Sequence, residues 1–508
     1  MTAIKSAVRR TALFLSVLLF LFALHAEGEE TKMGSIPVTL QKSYKKAGEN
    51  NPLYTQRFGA DPGVMEYNGR LYVYMTDDLV EYDADGRVKE NSYSQIRTIN
   101  CISSDDLVNW TDHGKIPVAG YSGIAKWAVN SWAPCAAHKT IGGREKFFLY
   151  FCDGGNGIGV LTADSPTGPW RDERGSLLIT RAVKNCADVT WLFDPAVMVD
   201  EDGTGYLAFG GGIPEGKASD PGTARVVRLA EDMIHLDGDP VQISPPWLFE
   251  DSGINRFGDT YVYSYCSNFN VPASGSKQGF GSGEIVYMTS DSPMGPFTYA
   301  GRVLRNPGSF FGVGGNNHHC MFSFRDQWYI TYHAATVDRD RGWNAGYRST
   351  FVDRLELNAE GLPAPSRGTL QGVDPVGTFD PYRTVTGATA AAMAGTETEL
   401  ARKEDRSAGT GPMAAVSTEA NGWIGLVNVD FGEKGASGLR IRYRAAEAAK
   451  VEILLDETDG EAAAAAELRA SEEDAEITLD LPAGFAGVHD LVFRFAQSGI
   501  TLLEWQFQ

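Results

Sequence analysis

The stretch Glu250-Asp-Ser-Gly-Ile-Asn-Arg-Phe-Gly-Asp-Thr-Tyr-Val-Tyr-Ser-Tyr265 runs from an acidic residue through a short segment to a Gly-Asp turn and an alternating aromatic strand. The same grammar occurs four more times. Asp61 precedes Val64-Met-Glu-Tyr67, the turn Asn68-Gly69 and Leu71-Tyr-Val-Tyr-Met75. Pro134, beside Trp132, precedes Gly142-Gly143 and Phe147-Phe-Leu-Tyr-Phe151. Asp194 precedes Val197-Met-Val-Asp200, Asp202-Gly203 and Tyr206-Leu-Ala-Phe209, and His318 precedes Met321-Phe-Ser-Phe324, Arg325-Asp326 and Trp328-Tyr-Ile-Thr-Tyr332. Alternation with period two on both sides of such a turn specifies a β-hairpin. Five hairpins of one type at long, irregular spacing predict radial repeats, hence an all-β, five-bladed propeller.

A second marker trails the hairpins. Ser104-Asp-Asp-Leu-Val-Asn-Trp110 returns as Ala163-Asp-Ser-Pro-Thr-Gly-Pro-Trp170 and as Ser290-Asp-Ser-Pro-Met-Gly-Pro-Phe297. Asp-Ser-Pro and Gly-Pro impose tight turns, and the closing aromatic begins a further strand at the outside of a blade. In the third repeat, Leu229-Ala-Glu-Asp-Met233 and a turn at Asp237-Gly238 stand in its place.

The ends of the chain read differently. Lys5, Arg9 and Arg10 precede an apolar run, Thr11 to Leu24, and then Ala26-Glu-Gly-Glu-Glu30. A charged head, a short apolar stretch and a small residue describe a secretory signal peptide over residues 1–26, so the expected location is secreted or periplasmic. The run is short for a membrane span. Residues 27–50 form a polar lead-in, 51–383 the propeller, and 384–400 a linker or the first strand of a new unit. From 401 to 508, short alternating strands (Ile424 to Phe431, Leu439 to Tyr443, Val451 to Leu455, Leu491 to Phe495, Leu502 to Phe507) predict a small, jelly-roll-like β-sandwich. Glu461-Ala-Ala-Ala-Ala-Ala-Glu467 reads as a helical turn or a low-complexity loop.

Lys and Arg number 45 against 65 Asp and Glu, a formal net charge of −20. That charge opposes phosphate-backbone binding and does not exclude a neutral, hydroxyl-rich ligand such as a glycan. The six cysteines (Cys101, Cys135, Cys152, Cys186, Cys266, Cys320) show no CxxC spacing, and several lie in aromatic strands. Disulfides and buried thiols are both compatible with this pattern.

In a propeller the innermost strands converge on one axis, so the residues leading into the hairpins meet. Three of these, Asp61, Asp194 and Glu250, are carboxylates. Like charges buried together separate their pKa values, leaving one group a proton donor and another an ionised base. Taken singly, Asp61-Pro62 and Asp194-Pro195 are turn formers, and Glu250-Asp251 suits a solvated loop. It is their shared place in the repeat that favours chemistry. Trp132, Trp191 and Phe193 flank these residues, where they either stack on a sugar face or plug the axis.

Ala60-Asp61-Pro62, Ser131-Trp-Ala-Pro134, Phe193-Asp194-Pro195-Ala196, Phe249-Glu250 and Asn317-His318-His319 together resemble glycoside hydrolase family 43 over roughly residues 50–380. The strings Glu250 to Arg256, Tyr287 to Phe297 and Phe311 to His319 resemble its arabinoxylan arabinofuranohydrolase branch. The resemblance implies inversion of anomeric configuration, with Asp61 as general base, Glu250 as general acid and Asp194 tuning that acid. It also implies removal of α-L-arabinofuranosyl branches from arabinoxylan or a related plant polysaccharide. A β-xylosidase, an endo-arabinanase and a non-catalytic glycan-binding propeller are the alternatives. Arg348 matches a family arginine near the substrate, which pairs with a catalytic carboxylate or holds sugar hydroxyls. His318, with His319 as the alternative, matches a position near a structural calcium ion on the axis. Asp251 departs from relatives, which tend to carry a small residue after the acid. The C-terminal unit resembles a family 6 carbohydrate-binding module through Asn421-Gly-Trp-Ile424, Val429-Asp-Phe-Gly432, Gly487-Val-His-Asp490 and Leu503-Glu-Trp-Gln-Phe507. Trp423 sits there either as a sugar-stacking aromatic or as sandwich core.

Overall fold

The computed structural model describes residues 43–46, 48–402 and 411–508. The signal-peptide reading, and the lead-in up to residue 42, lie outside the described residues. The described chain is all-β, built from antiparallel sheets.

Five sheets follow one another along the chain. The first holds β1 (Gly59–Tyr67), β2 (Arg70–Asp77), β3 (Thr98–Ser104) and β4 (Trp110–Pro117). The second holds β5 (Trp132–Ile141), β6 (Arg144–Cys152) and β7 (Ile158–Ala163), and the third β8 (Ala196–Val199), β9 (Gly205–Phe209), β10 (Ala224–Arg228) and β11 (Val241–Ile243). The fourth holds β12 (Leu248–Phe257), β13 (Thr260–Ser267), β14 (Ile285–Ser290) and β15 (Thr298–Leu304), and the fifth β16 (His319–Phe324), β17 (Gln327–Ala334) and β18 (Ser349–Arg354). In each sheet the first strand leads and the others follow in order. The first strands close a ring: β1 packs on β5, β5 on β8, β8 on β12, β12 on β16, and β16 back on β1. The hairpin turns fall where the sequence puts them. Asn68 and Gly69 both adopt positive φ, 52° and 73°, as a two-residue turn matched to strand twist requires.

The trailing marker behaves unevenly. Trp110 opens β4, and Phe297 immediately precedes β15. Trp170 starts no strand; only isolated bridges, among them Thr162 with Arg171, continue that sheet. All six cysteines are free, five of them buried and Cys320 partly so. They serve as small hydrophobes, as in the Cys101 and Cys135 clusters.

The stretch 384–400 carries four short strands, β19 (Val385–Thr386), β20 (Thr389–Ala390), β21 (Ala392–Ala394) and β22 (Thr396–Leu400). With β23 (Met413–Ser417), β24 (Gly422–Asp430), β25 (Gly438–Ala445), β26 (Ala449–Leu455), β27 (Ala464–Leu468), β28 (Ser471–Asp480), β29 (Val488–Phe495) and β30 (Ile500–Phe507) they form two sheets over one core, except β20, which pairs with β4. Phe379, upstream of this stretch, is already part of that core. The alanine run is not a helix: residues 461–463 are irregular, and from Ala464 it is strand β27. Pairing of β27 with β26 and burial of Ala466 override the helical preference of alanine.

The two parts of the chain are joined by more than the chain itself. The Asn109 side chain bonds both the N–H and the carbonyl of Val427, each at 2.8 Å. Arg57 forks onto Asp112, which also accepts the Thr398 hydroxyl at 2.6 Å. The buried Lys45 ammonium reaches the carbonyls of Leu53 and Ala391. Trp423 packs in this junction beside Val108, Val427, Leu454 and Val492, and only 1% of it is exposed. It is a packing residue, with no face left for a sugar. Trp423→Ala is therefore expected to cost about 3–5 kcal/mol of stability in denaturant unfolding without changing polysaccharide retention. Lost retention at unchanged stability would contradict this assignment.

Candidate active site

The site begins with a backbone irregularity repeated around the ring. The pairing of β1 with β2 breaks between Ala60 and Gly63, that of β5 with β6 between Trp132 and Cys135, and that of β12 with β13 between Glu250 and Gly253. Two residues before regular pairing begins, the chain enters the left-handed region: Asp61 at φ 49°, Ala133 at 39°, Asp194 at 48°, Asp251 at 65°. A bulge of this kind re-aims the neighbouring side chains and is characteristic of sheet ends beside functional sites. It corrects the repeat alignment by one residue. The counterpart of Asp61 and Asp194 in the second sheet is Ala133, not Pro134, and in the fourth it is Asp251, not Glu250. Pro134 lines a separate cavity further along the axis, of about 360 Å³. Glu250 occupies the preceding position, the one held by Trp132 and Phe193 in their sheets.

Both rows of residues, Asp251 excepted, open on one cavity of about 500 Å³. Asp61, Asp194, Glu250, Trp132, Phe193, Arg348 and His318 all line it, with Tyr93, Trp191 and Asn316. Of the two neighbouring histidines, only His318 reaches this cavity; both reach the second one.

The three carboxyl groups differ in their surroundings. Burial, the largest influence on Asp61, would raise it, but Arg348 together with His333 and His318 outweighs burial and holds the carboxyl well below the usual range. Arg348 Nη1 donates to Asp61 Oδ1 at 2.8 Å, and the Thr76 hydroxyl donates to Oδ2 at 2.7 Å. That hydroxyl also accepts the Ala133 N–H at 2.8 Å, so its single proton must point at Asp61. His333 completes the support. Its Nε2 donates to the Asn316 carbonyl at 3.0 Å, and its Nδ1 accepts the Asp61 N–H at 3.1 Å. Burial lowers the imidazole pKa, consistent with that neutral form. Arg348 is itself fixed by Asp78, with Nε to Oδ2 at 2.8 Å and Nη2 to Oδ1 at 2.7 Å. Its role is thus pairing with the carboxylate of Asp61, the first of the two readings open from the sequence.

Glu250 is the opposite case. Burial in the cavity, then the charges of Asp194, Asp61 and Asp251, push its pKa well above the ordinary value. Its Oε1 is buried and has no hydrogen-bond partner among the described residues. Asp194 is also raised, first by burial and then by Asp61, although its Oδ2 accepts the Asp251 N–H at 2.9 Å. Beneath it, Cys152 Sγ accepts the Asp194 N–H at 3.3 Å. Asp251 turns away from the cavity. It pairs with His319 Nδ1, and His319 Nε2 meets the Ser264 hydroxyl at 2.8 Å. Burial raises Asp251 to about 8 and lowers His319 to about 3.

The axial calcium finds little support in these side chains. Calcium takes about six to eight oxygen ligands. No three His, Cys, Asp or Glu side chains among the described residues are grouped to hold a metal. His318 Nδ1 lies 3.7 Å from Asp61 and 3.8 Å from Asp194, and its Nε2 lies 3.2 Å from Asp251 Oδ1. One imidazole facing carboxylates does not make an oxygen shell, and no step below passes through a metal.

Thr76, Asp78, Tyr93, Asn316 and His333 were not legible as site residues. Thr76, Asp78 and His333 stand on or just past second strands, Tyr93 and Asn316 in loops, and none occupies the position that the repeat marks. The run Thr76-Asp77-Asp78 directly after an aromatic strand was the one available signal.

One carboxyl held below its usual range and another raised above it, facing one cavity, is the arrangement that acid–base hydrolysis uses. The Glycosyl hydrolases family 43 model matches residues 49–363, and the chain belongs to that family. It is 44% identical over 486 residues to the arabinoxylan arabinofuranohydrolase of Paenibacillus polymyxa, covering 91% of this chain and 75% of the relative. It is equally identical over 484 residues to the enzyme of that name from Bacillus subtilis (strain 168), covering 91% and 93%. A crystal structure of a Bacillus subtilis family 43 arabinoxylan arabinofuranohydrolase with cellotetraose superposes with a TM-score of 0.86 at 42% identity, over 91% of this chain and 98% of that one.

With Asp61 as the expected general base, removing its cation has a defined sign. A general base works only when ionised, so raising its pKa moves the loss of activity to higher pH. In Arg348→Met the acidic limb of kcat/KM for a hydrolysed aryl glycoside should move up by about 1–3 pH units. Stability should fall by about 3–5 kcal/mol, because Asp78 stays buried without its partner. An unmoved acidic limb would contradict the pairing.

Proposed function

We propose that this protein is an inverting glycoside hydrolase that removes α-L-arabinofuranosyl side chains from arabinoxylan or a related plant cell-wall polysaccharide. The observation that carries the reading is the opposed state of two carboxyls on one cavity, Asp61 held ionised by Arg348 and Glu250 pushed towards its protonated form. The likeness to two arabinoxylan arabinofuranohydrolases along nearly the whole chain supplies the substrate class.

In this reading the closed ring of five sheets is a five-bladed propeller, followed by a β-sandwich. The arabinosyl unit enters the cavity with its glycosidic oxygen towards Glu250. Asp61 takes a proton from a water molecule on the opposite face of the sugar. As that water attacks the anomeric carbon, the bond to the polysaccharide oxygen breaks and Glu250 protonates the departing oxygen. Asp61 ends protonated and Glu250 ionised, and exchange with solvent restores both. Asp194 contributes the negative charge that, after burial, most strongly keeps the proton on Glu250. The aromatic rings of Trp132 and Phe193 offer apolar faces to the sugar. The charged head and apolar run at residues 1–24 support action outside the cytoplasm.

Proton NMR of a fresh digest of arabinoxylan oligosaccharides reads both linkage and stereochemistry. The first product expected is arabinose of inverted anomeric configuration. Xylose, or retained arabinose, would overturn the assignment. Glu250→Ala and Asp61→Ala should each lower kcat by about 10²–10⁴-fold with the circular dichroism spectrum unchanged.

A further inference from the structure

Tyr93 comes from the loop between β2 and β3, outside the repeat, yet it forms part of the wall of the catalytic cavity. Its backbone sits at φ 59°, unusual for a bulky aromatic residue. Three contacts hold it there. Its N–H donates to Asn91 Oδ1 at 3.1 Å, its carbonyl accepts Trp132 Nε1 at 3.0 Å, and its ring lies over the Arg348 guanidinium, 5.0 Å from the centroid. Tyr93 and Arg348 also border a smaller cavity of about 70 Å³ behind the first. The residue is therefore a partition whose backbone is tied to one wall of the site and whose ring is seated on the cation of the base.

What this fixed ring presents is its hydroxyl. Among the described residues the phenolic oxygen makes no hydrogen bond, although the ring is half-buried and every other polar group of the residue is engaged. Burial raises the phenol pKa, Arg348 opposes this, and Asp78, Asp61 and Glu250 add to it. The group thus keeps its proton and lies in the field of both catalytic carboxyls. A strained, anchored residue holding an unused donor beside reacting groups is placed for a ligand rather than for the fold.

We propose that the Tyr93 hydroxyl hydrogen-bonds a ring hydroxyl of the pentose bound in the catalytic cavity, while the ring shields the Arg348–Asp61 pair from water. The inference rests on the glycosidase reading but not on which pentose is bound. Tyr93→Phe removes only the oxygen and leaves the ring on Arg348. Wild type and variant are compared on 4-nitrophenyl α-L-arabinofuranoside and β-D-xyloside, and the affinity of the matching free pentose is measured by calorimetry. The expected result is about ten-fold weaker pentose binding, with kcat/KM down by about the same factor, kcat nearly unchanged and the same thermal midpoint. Unchanged affinity, or a loss confined to kcat, overturns the proposal. So does a lowered thermal midpoint, because it would reveal a partner for the hydroxyl within the fold. Which glycoside the wild type hydrolyses tests the proposed function separately, since the comparison of variants holds for either sugar.

Discussion

One guanidinium decides the division of labour in this site. Arg348 is shared between Asp78, which grips it through two nitrogens, and Asp61, which takes the third. Burying three carboxyl groups around one cavity would by itself push all of them towards their neutral forms. With Arg348 fixed on it, and His333 and His318 beside it, Asp61 is held low, and its charge adds to the burial that raises Glu250 and Asp194. The contrast between Asp61 and Glu250 therefore follows where positive charge is tied down. Asp78 does the tying from the end of the first sheet, while Arg348 arrives from the fifth, so the pair also spans the closure of the ring.

The ring makes this possible by repeating one backbone defect. At four of its entrances a residue takes positive φ, at three of them with a break in the strand pairing, and two consecutive residues there form two rows about the axis. One row then carries Asp61, Ala133, Asp194 and Asp251, and the row before it carries Trp132, Phe193 and Glu250. Glu250 thus shares one structural position with the aromatic walls, whereas Asp61 and Asp194 share the next. Asp251, in the second row, turns to the two histidines instead of to the cavity. Its backbone N–H still serves Asp194.

Much of this was legible from the chain. Hairpin turns and aromatic alternation announce themselves locally, and the lead residues Asp61, Asp194, Glu250 and His318 do converge. The offset of one residue at Glu250 was not legible, because a bulge changes φ without changing the alternation that marks a strand. Asp78, His333 and Tyr93 were hidden for another reason. They reach the site through tertiary packing from positions that the repeat does not mark. In the C-terminal part, β28 is largely exposed and rich in acidic residues, so it lacks the apolar alternation that revealed β24, β25, β29 and β30. Trp423 could be read as binding face or core, and its burial against the first sheet of the ring decides for core.

Two carboxyl groups in one cavity are expected to hold opposite protonation states at the same pH. Carbon-13 NMR titration of carboxyl-labelled Asp and Glu, assigned with Asp61→Asn and Glu250→Gln, observes those states directly. The Asp61 signal is expected to stay that of the ionised form down to the acid limit of the folded protein, while Glu250 keeps its proton well above the ordinary glutamate value of about 4.3. Both signals titrating together near that ordinary value would contradict this expectation.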